Sequence, residues 1–433
     1  MKQHFLRGAY AAASLMSRRG LLAGLASTLT LAFLGLPPAQ ADDRKPYWVG
    51  TWTASPQAPE PPIVAPNPSS FANQTLRQVV RTSLAGERVR VRLSNEFGRA
   101  PLVVGEVRIA LQAAGESIMP GTDRPVTFGG RSAFTVAPGA PLVSDPVDFP
   151  LPPLAQLVVS IYLPESTPVT TYHSLGVQTT YVSLPGNYTA AMSPPVASTT
   201  PSWFFLSGVS VEAPRRAAAI VTLGDSITDG YASTVDANRR WPNVLAERLQ
   251  SHPRYRHLAV LNHGISGNRT TFDLIGPNAL ARFDRDVLAA PGARYVIVLE
   301  GINNIGIPGA FGLASQQVTA EDIIASYRQL ISRAREQGLR NYGGTLTPFE
   351  GTIFPGYYTP AGEAKRQAVN AWIRGSGEFD AVIDFDRVIR DPAQPTRMRA
   401  AYDSGDHLHP NDAGYRAMAE AIDLRLFNGN NDD

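Results

Sequence analysis

The sequence predicts two parts of different fold class: an all-β sandwich of jelly-roll type, followed by an α/β domain with a mostly parallel sheet. Two observations predict this division. Over residues 47–211 the hydrophobic residues recur with a period of two and are interrupted by Gly and Pro. After residues 212–216, short apolar runs alternate with helical stretches. A chain of 433 residues is long enough for two such domains.

The first part is expected to consist of short strands separated by turns. In segment 88–93, valines and a leucine alternate with arginines, which predicts a strand with one face in water. Four other segments have a similar composition and lie between Gly- and Pro-containing turns: 76–83, 102–110, 157–163 and 179–184. Short strands at this spacing are typical of a β-sandwich.

The second part is expected to alternate between strands and helices. The predicted strands are 217–223, 257–261, 295–299, 342–346 and 381–383. The predicted helices are 241–250, 279–288, 320–337, 361–373 and 411–426. This order predicts a mostly parallel sheet with helices on both faces. In such sheets, functional sites form beyond the carboxyl ends of the strands.

The first 41 residues are typical of an export signal. Their features are the basic residues Lys2, Arg7, Arg18 and Arg19, the uncharged apolar run 20–36, and the cleavage site Ala39-Gln40-Ala41. Segment 17–22 also resembles the twin-arginine export motif of bacteria. We expect cleavage after Ala41 and a periplasmic or secreted protein. The apolar run is close to membrane-spanning length, so an uncleaved anchor is the alternative.

We therefore expect a signal peptide over 1–41, an accessory β-sandwich domain over 42–213 and an α/β domain over 214–433. Removing residues 1–41 takes four basic and no acidic residues from the totals of 39 and 37, which leaves 35 against 37 and a net charge of about −2. The mature chain has no basic tract and no further long apolar run. We expect neither nucleic-acid binding nor an integral membrane segment.

Cysteine is absent from the sequence. This excludes a disulfide framework, a thiolate zinc site and a cysteine nucleophile. The sequence does not indicate an oligomeric state.

Two short segments carry the candidate chemistry. Segment 224–230 reads Gly-Asp-Ser-Ile-Thr-Asp-Gly directly after a predicted strand, and segment 406–410 reads Asp-His-Leu-His-Pro before the last predicted helix. Together they supply a serine hydroxyl, an imidazole and a carboxylate, the groups that nucleophilic hydrolysis by serine requires. Each segment taken alone is also compatible with an ordinary turn or a helix start, with Asn411 as the cap.

Four blocks of the second part resemble the GDSL, or SGNH, hydrolase family. The first is segment 224–230, the second Leu261-Asn262-His263-Gly264-Ile265-Ser266-Gly267-Asn268, the third Gly301-Ile302-Asn303-Asn304 and the fourth Asp406-His407-Leu408-His409. The blocks occur in the family's order over residues 217–426, about half of the chain. The resemblance implies a flavodoxin-like three-layer α/β/α fold and a serine esterase.

The resemblance also implies a role for each block. Ser226 would be the nucleophile, His409 the general base and Asp406 the group that orients it. The N–H groups of Ser226 and Gly264 and the amide of Asn303 would form the oxyanion hole. His407 is the competing base. The third block departs from the family at Asn304, where an aspartate is usual, and we expect this change to tune the site without abolishing it.

Other polar residues near the blocks have structural interpretations that we prefer. Asp225 and Asp229 are expected to fasten the nucleophile turn, and His263 and Arg269 to support their loops. In the first part, His173 could reach across to the active site, but nothing in the sequence requires it. Trp48 and Trp52 have the same parity on a predicted strand, which predicts that both face the core.

The expected substrate is a small-molecule or glycan ester with a short acyl group, O-acetyl esters of carbohydrate being favoured by export and the accessory sandwich. Neither a metal nor an organic cofactor is required. Three alternatives remain open: a lysophospholipase or arylesterase, an acyltransferase with the same triad, and a carbohydrate-binding protein without catalysis.

Overall fold

The order of elements agrees with the predicted division into a β-rich part and an α/β part. This computed structural model describes residues 47–428 except 62 and 64. The predicted signal peptide, residues 1–41, lies outside the described residues. Both predicted parts belong to one compact unit, and a single hydrophobic cluster extends from Val49 to Phe427.

The β-rich part contains eighteen described strands. They are β1 (Tyr47–Thr53), β2 (Ser70–Phe71), β3 (Gln74–Arg81), β4 (Gly86–Ser94), β5 (Leu102–Val104), β6 (Glu106–Ala114), β7 (Ser117–Ile118), β8 (Arg124–Val126), β9 (Phe134–Val136), β10 (Pro141–Val143), β11 (Val147–Leu151), β12 (Gln156–Leu163), β13 (Thr167–Pro168), β14 (Tyr172–His173), β15 (Thr180–Pro185), β16 (Val196–Thr200), β17 (Trp203–Phe204) and β18 (Leu206–Ala213).

The α/β part contains five strands and eight α-helices. They are β19 (Ala218–Gly224), α1 (Ser226–Asp229), α2 (Trp241–Ser251), β20 (Leu258–Gly264), α3 (Ala279–Phe283), β21 (Ala293–Leu299), α4 (Ile302–Ala310), α5 (Ala320–Glu336), β22 (Arg340–Gly344), α6 (Pro360–Gly375), β23 (Ala381–Ile383), α7 (Phe385–Ile389) and α8 (Asp412–Glu420). A π-helical turn follows α3 at Asp284–Leu288, and 3₁₀ turns lie at Ala314–Gln316 and Leu424–Phe427.

Two antiparallel sheets build the β-rich part and confirm the predicted sandwich. One has the order β1-β18-β4-β10, with β11 also paired to β4, and the other has the order β16-β15-β3-β12-β6-β7, with β8 also paired to β6. Alternate residues of β4 and β12, such as Val89, Val91, Val159 and Ile161, are fully buried in the shared cluster. In β4 these valines alternate with arginines that are only half-buried, and inward-facing residues from both sheets are the pattern of two sheets packed face to face.

Two predicted elements are shorter in the structure. The strand predicted over 102–110 is divided at Gly105, because Val104 pairs with β9 whereas Glu106 pairs with β12. The helix predicted over 411–426 ends as α8 at Glu420. Asp423 then accepts a hydrogen bond from Arg425 N and caps a separate 3₁₀ turn.

The shared orientation predicted for Trp48 and Trp52 is wrong. Strand β1 has a bulge between Gly50 and Trp52, and one extra residue reverses the parity of the side chains that follow it. Trp52 is buried against Trp203, with ring centroids 4.9 Å apart. Trp48 is half-buried, and the Arg90 guanidinium lies 4.3 Å from its ring centroid.

The parallel sheet has the strand order β20-β19-β21-β22-β23. In chain order this is 2-1-3-4-5, the flavodoxin-like arrangement that the resemblance implies. Helices α2, α7 and α8 pack together, and α3 to α6 form a second group, so the domain has three α/β/α layers. The predicted fold class is confirmed.

The β-rich part covers the edge strand β20. Ser83 Oγ accepts from Val260 N at 3.0 Å and contacts Val260 O at 3.3 Å, and Thr53 Oγ1 donates to Asn262 O at 3.2 Å. An uncovered edge exposes a row of unpaired backbone groups that can bind other chains. Here side chains of the sandwich satisfy those groups, which joins the two parts into one unit.

Among the described residues, every helix is too short or too polar to cross a bilayer.

Candidate active site

The strand register brings the predicted blocks to one edge of the sheet. Gly224 of β19 pairs with Gly264 of β20 on one side and with Leu299 of β21 on the other. The segments that follow these three residues, which carry Ser226, Gly267 and Asn303, therefore emerge next to one another. The candidate site therefore lies beyond the carboxyl ends of these strands.

Ser226 is the first residue of helix α1. Asp225 caps this helix, because its carboxylate accepts from Ile227 N at 3.0 Å. The Ser226 N–H has no hydrogen-bond acceptor among the described residues. A hydroxyl and a free N–H at one helix start can both face the same bound group.

Ser226, His409 and Asp406 form a continuous hydrogen-bond chain. Ser226 Oγ lies 2.8 Å from His409 Nε2, and His409 Nδ1 lies 2.6 Å from Asp406 Oδ2. The three residues are between 4% and 9% exposed. The structure thus brings together the three residues expected as nucleophile, base and orienting acid, in the order that proton transfer from serine requires.

The Asp406 carboxylate is held in its ionised form. Burial alone would raise its pKa, but the hydrogen bond and charge of His409 and the N–H groups of His409 and Leu408 lower the pKa well below its usual range. Both N–H groups donate to Oδ1, at 2.8 and 2.9 Å. An ionised Asp406 accepts from His409 Nδ1, which leaves Nε2 free to accept the serine proton.

His407 lies away from the serine. Its Nδ1 is 2.5 Å from Asp403 Oδ2, and its side chain is 50% exposed. Its backbone is in the left-handed region at φ 58°. The competing base therefore forms a separate pair with another carboxylate.

The expectation for Gly264 needs a correction. Its N–H donates to Asn262 Oδ1 at 2.9 Å and is therefore already engaged. A Cβ at this position would lie 2.3 Å from Asp229 N, so the glycine is required for the close approach of α1 to β20. The role of Gly264 in this structure is packing.

Gly267 is a better candidate donor that the sequence analysis missed. It has φ 80°, and its N–H has no acceptor among the described residues. Its neighbour Asn268 accepts from Asn303 Nδ2 at 3.0 Å, which places this loop against the third block. The available signal was the Ser266-Gly267 dipeptide, since glycine is favoured where a turn requires positive φ.

Asn303 is held in a fixed orientation. Tyr357 donates its hydroxyl proton to Asn303 Oδ1 at 2.7 Å, and both residues are buried. Because the oxygen of the amide is occupied, Nδ2 faces Asn268 O and keeps one further proton to donate. Asn304 instead anchors the loop, with Oδ1 accepting from Thr270 N at 2.8 Å.

A buried arginine that the sequence analysis missed holds the strand ends together. Arg282 donates to Gly224 O, His263 O and Asn268 Oδ1 at 3.0, 2.6 and 3.0 Å. It also pairs with Asp286 at 3.0 Å and lies 3.6 Å from the buried carboxylate of Glu300, whose pKa burial raises. Arg282 thereby fixes the positions of β19, β20 and the Gly267 loop relative to one another.

The β-rich part contributes two residues behind the site, Ser55 and His173. Ser55 Oγ contacts His263 Nδ1 and Asp286 Oδ2, both at 2.9 Å. His173 Nε2 lies 2.9 Å from Asp229 Oδ1. Burial and the neighbouring cations lower the pKa of His263 to about 4, so this imidazole is neutral. Its contacts agree with the supporting role expected for it.

Arg269 is buried beside its own loop, where it donates to Asp273 O at 2.6 Å. The described residues include no group of three or more His, Asp or Glu side chains arranged to hold a metal ion.

A flavodoxin-like sheet with a hydrogen-bonded Ser, His and Asp beyond its strand ends defines a serine-hydrolase class of α/β domain. Comparison with protein families agrees with this class. Residues 222–417 match the GDSL-like Lipase/Acylhydrolase family, and this part of the chain is a domain of that family.

Several solved structures are similar to the α/β part. An aryl esterase from M. smegmatis has 18% sequence identity and a TM-score of 0.39, and the match covers 48% of this chain and 98% of that chain. A catalytic mutant of an acetylxylan esterase from Geobacillus stearothermophilus has 21% identity and a TM-score of 0.38, and the match covers 48% of this chain and 93% of that chain. A carbohydrate acetylesterase from Sinorhizobium meliloti has 14% identity and a TM-score of 0.38, and the match covers 48% of this chain and 98% of that chain. A search of curated proteins found no match.

Proposed function

We propose that this protein is an exported serine esterase that hydrolyses small acyl esters through an acyl-enzyme. The observation that carries the proposal is the hydrogen-bond chain from Ser226 Oγ through His409 to Asp406 at the carboxyl edge of the sheet. Export is proposed from the sequence of residues 1–41, with Asp42 as the first residue of the exported protein.

Acylation follows from this geometry. His409 Nε2 accepts the proton of Ser226 as Oγ attacks the ester carbonyl, and Asp406 stabilises the resulting imidazolium. The tetrahedral intermediate collapses when the carbon–oxygen bond to the alcohol breaks and His409 returns the proton to the leaving alkoxide. Water, deprotonated by His409, then attacks the acyl carbon. The bond from that carbon to Ser226 Oγ breaks, His409 returns the proton to Oγ, and the carboxylic acid is released.

We propose the N–H groups of Ser226 and Gly267 and the Asn303 amide as the oxyanion donors, with Gly267 in place of Gly264. Three observations support this set. The N–H groups of Ser226 and Gly267 have no acceptor among the described residues. Asn303 Nδ2 uses one of its two protons in the bond to Asn268 O, and the Tyr357 hydroxyl fixes the orientation of the Asn303 amide. Each such donor contributes about 3 kcal/mol to lowering the barrier in related chemistry.

A short acyl group is supported by the limited access to the site. Ser226 is 6% exposed and His409 is 4% exposed. The Tyr231 ring lies 4.3 Å from the His409 ring and the Phe354 ring 6.3 Å from it, measured between centroids. Two aromatic rings therefore border the imidazole of the proposed base. Among short-chain esters we favour O-acetyl groups on carbohydrate, because the chain is predicted to be exported and carries an accessory sandwich.

The decisive experiment is turnover of p-nitrophenyl acetate by the exported protein and by a Ser226→Ala variant. We expect kcat to fall by about 10⁶-fold in the variant, because the nucleophile is lost. Ser251→Ala is the matched control, since the Ser251 hydroxyl only donates to Arg248 O near the end of α2. A fluorophosphonate probe should label the wild type and the control at Ser226.

Equal rates for wild type and Ser226→Ala would refute the nucleophile assignment. If the wild type is active, release of acetate from an acetylated polysaccharide then tests the substrate. Turnover of aryl or lysophospholipid esters without release of acetate would reject the carbohydrate ester.

A further inference from the structure

A second buried His–Asp pair lies at the last residue of α1, whereas His409 contacts the first. His173, on β14 of the β-rich part, places Nε2 2.9 Å from Oδ1 of Asp229, the last residue of α1. Their side chains are 3% and 2% exposed. The pair therefore joins the sandwich to the helix that begins at Ser226, out of contact with bulk water.

The hydrogen-bond partners of His173 determine its protonation. Nδ1 lies 3.0 Å from the backbone oxygen of Ser55, which can only accept, so Nδ1 carries a proton. Nε2 faces a carboxylate, which accepts when ionised. An imidazole placed between two acceptors satisfies both only when both of its nitrogens are protonated. The same geometry with a neutral imidazole would require a proton on Asp229.

The Asp229 carboxylate is itself surrounded by donors. Oδ2 accepts from Ser266 N at 3.0 Å and from Ser266 Oγ at 2.8 Å. The other ionisable side chains whose charges interact with this pair are Arg240, Asp225, His263 and Tyr415. Of these, Arg240 is cationic, His263 and Tyr415 are neutral, and Asp225 is a second carboxylate that opposes the ionisation of Asp229. The groups in hydrogen-bond contact with Asp229 are the His173 ring and the N–H and O–H donors of Ser266.

Asp229 connects the nucleophile helix to the proposed oxyanion loop. It belongs to the same short helix as Ser226, and it binds Ser266, the residue before Gly267. A shift of this carboxylate would move the Gly267 N–H relative to Ser226 Oγ. Displacing a reacting group or donor by about 1 Å can lower the rate by about 10²-fold.

We infer that His173 is a positioning residue: its doubly protonated imidazole, supplied by the sandwich, holds Asp229 so that Ser226 and the Gly267 loop keep their relative geometry. The inference rests on the proposed esterase function. It makes the β-rich part a component of the catalytic unit, in addition to its role in covering β20.

The kinetic test compares His173→Ala and His173→Gln with the wild type on p-nitrophenyl acetate. We expect His173→Ala to lower kcat by about 10²-fold with little change in KM, because the donors act in the transition state. Gln can still donate to Asp229, so His173→Gln should recover part of the loss. Arg81→Gln is the matched control, since Arg81 pairs with Glu247 across the same interface at 3.0 Å without touching Asp229.

A folded His173→Ala variant with wild-type kcat, its folding checked by thermal melting, would overturn the positioning role. An equal loss of kcat in Arg81→Gln would also overturn it, because the effect would then belong to the interface in general. If His173→Ala does not fold, the kcat of His173→Gln is compared with that of the wild type instead. A kcat equal to the wild-type value would overturn the positioning role, and a lower kcat would support it.

The protonation is tested by nitrogen-15 NMR of the histidine rings. We expect both His173 nitrogens to be protonated in the wild type, and only Nδ1 in Asp229→Asn, because the Asn amide can donate to Nε2. An unprotonated Nε2 in the wild type would overturn the imidazolium. This measurement needs no activity. If the wild type neither hydrolyses esters nor reacts with a fluorophosphonate, the proposed function fails. The NMR spectrum would still show whether both nitrogens of His173 are protonated.

Discussion

Two buried histidines flank helix α1, and they differ in what their ring nitrogens contact. His409 lies between the Asp406 carboxylate and the Ser226 hydroxyl, a group that can donate as well as accept. His173 lies between the Asp229 carboxylate and a backbone oxygen, both of which only accept. The first imidazole can therefore be neutral and take up a proton, whereas the second is held with both nitrogens protonated.

A third buried histidine, His263, extends this comparison. Its Nδ1 contacts the Ser55 hydroxyl, and its Nε2 has no partner among the described residues. Without a carboxylate in hydrogen-bond contact, burial dominates and lowers its pKa to about 4. The type of partner on each nitrogen, more than burial itself, separates a proton acceptor from a fixed cation and from a neutral support.

The largest expected effect distinguishes the two histidines of the fourth block. Substitution His409→Asn should lower kcat by about 10⁶-fold, because the serine loses its base. The same substitution at His407 should change kcat by less than about 10-fold, because His407 pairs with Asp403 and Asn tolerates its positive φ. Steady-state kinetics with p-nitrophenyl acetate measures both.

A larger loss in His407→Asn than in His409→Asn would reverse the assignment of the base. His409 would then no longer differ from His173 as the proton acceptor of the pair.

An intermediate effect is expected at the oxyanion donors. Asn303→Ala should lower kcat by about 10²- to 10³-fold with little change in KM. Tyr357→Phe removes only the hydrogen bond that orients Asn303 and should cost about 10-fold, the equivalent of roughly 1.4 kcal/mol. Tyr358→Phe is the matched control, since its ring packs 5.0 Å from Phe349 and has no contact with Asn303 among the described hydrogen bonds.

Equal kinetics for Asn303→Ala and the wild type would exclude the Asn303 amide from the oxyanion hole. A rise in KM without loss of kcat would assign it to substrate binding instead.

The sequence predicted the fold and most of the site because those features are local. The strands and helices follow from periodicity, and Ser226, Asp406 and His409 lie in short blocks next to predicted strand or helix ends. Gly264 was misassigned because a glycine at a strand end does not reveal where its N–H points. That direction depends on Asn262, whose side chain occupies the N–H.

The contributions of distant segments could not be predicted. His173 contacts Asp229 across 56 positions of sequence, and Arg282 contacts Gly224 across 58. Neither residue has a neighbour in sequence that indicates its partner. Only the packing of the sandwich against β20, and of α3 beneath the strand ends, brings these groups together.

The smallest expected effect concerns Asp225, which caps α1. Burial raises its pKa to about 7, Asp229 acts in the same direction, and the Ile227 N–H and Arg282 oppose them. The usual value in an unfolded chain is about 3.9. Because the native state binds this proton more tightly, the contribution of Asp225 to the free energy of unfolding is largest below about pH 4 and falls as pH rises to about 7.

Asp225→Asn keeps an oxygen that accepts from Ile227 N and removes the titration. The wild type should therefore lose stability relative to the variant as pH rises. We expect the Tm of Asp225→Asn minus the Tm of the wild type to increase by a few degrees from about pH 5 to about pH 8. Asp148→Asn removes the same charge from a side chain that is 94% exposed and should show no such shift. Thermal melting at the two pH values measures both. If this Tm difference is the same at both pH values, Asp225 is ionised in the native state throughout this range. The cap of α1 would then be a carboxylate and not a neutral acid.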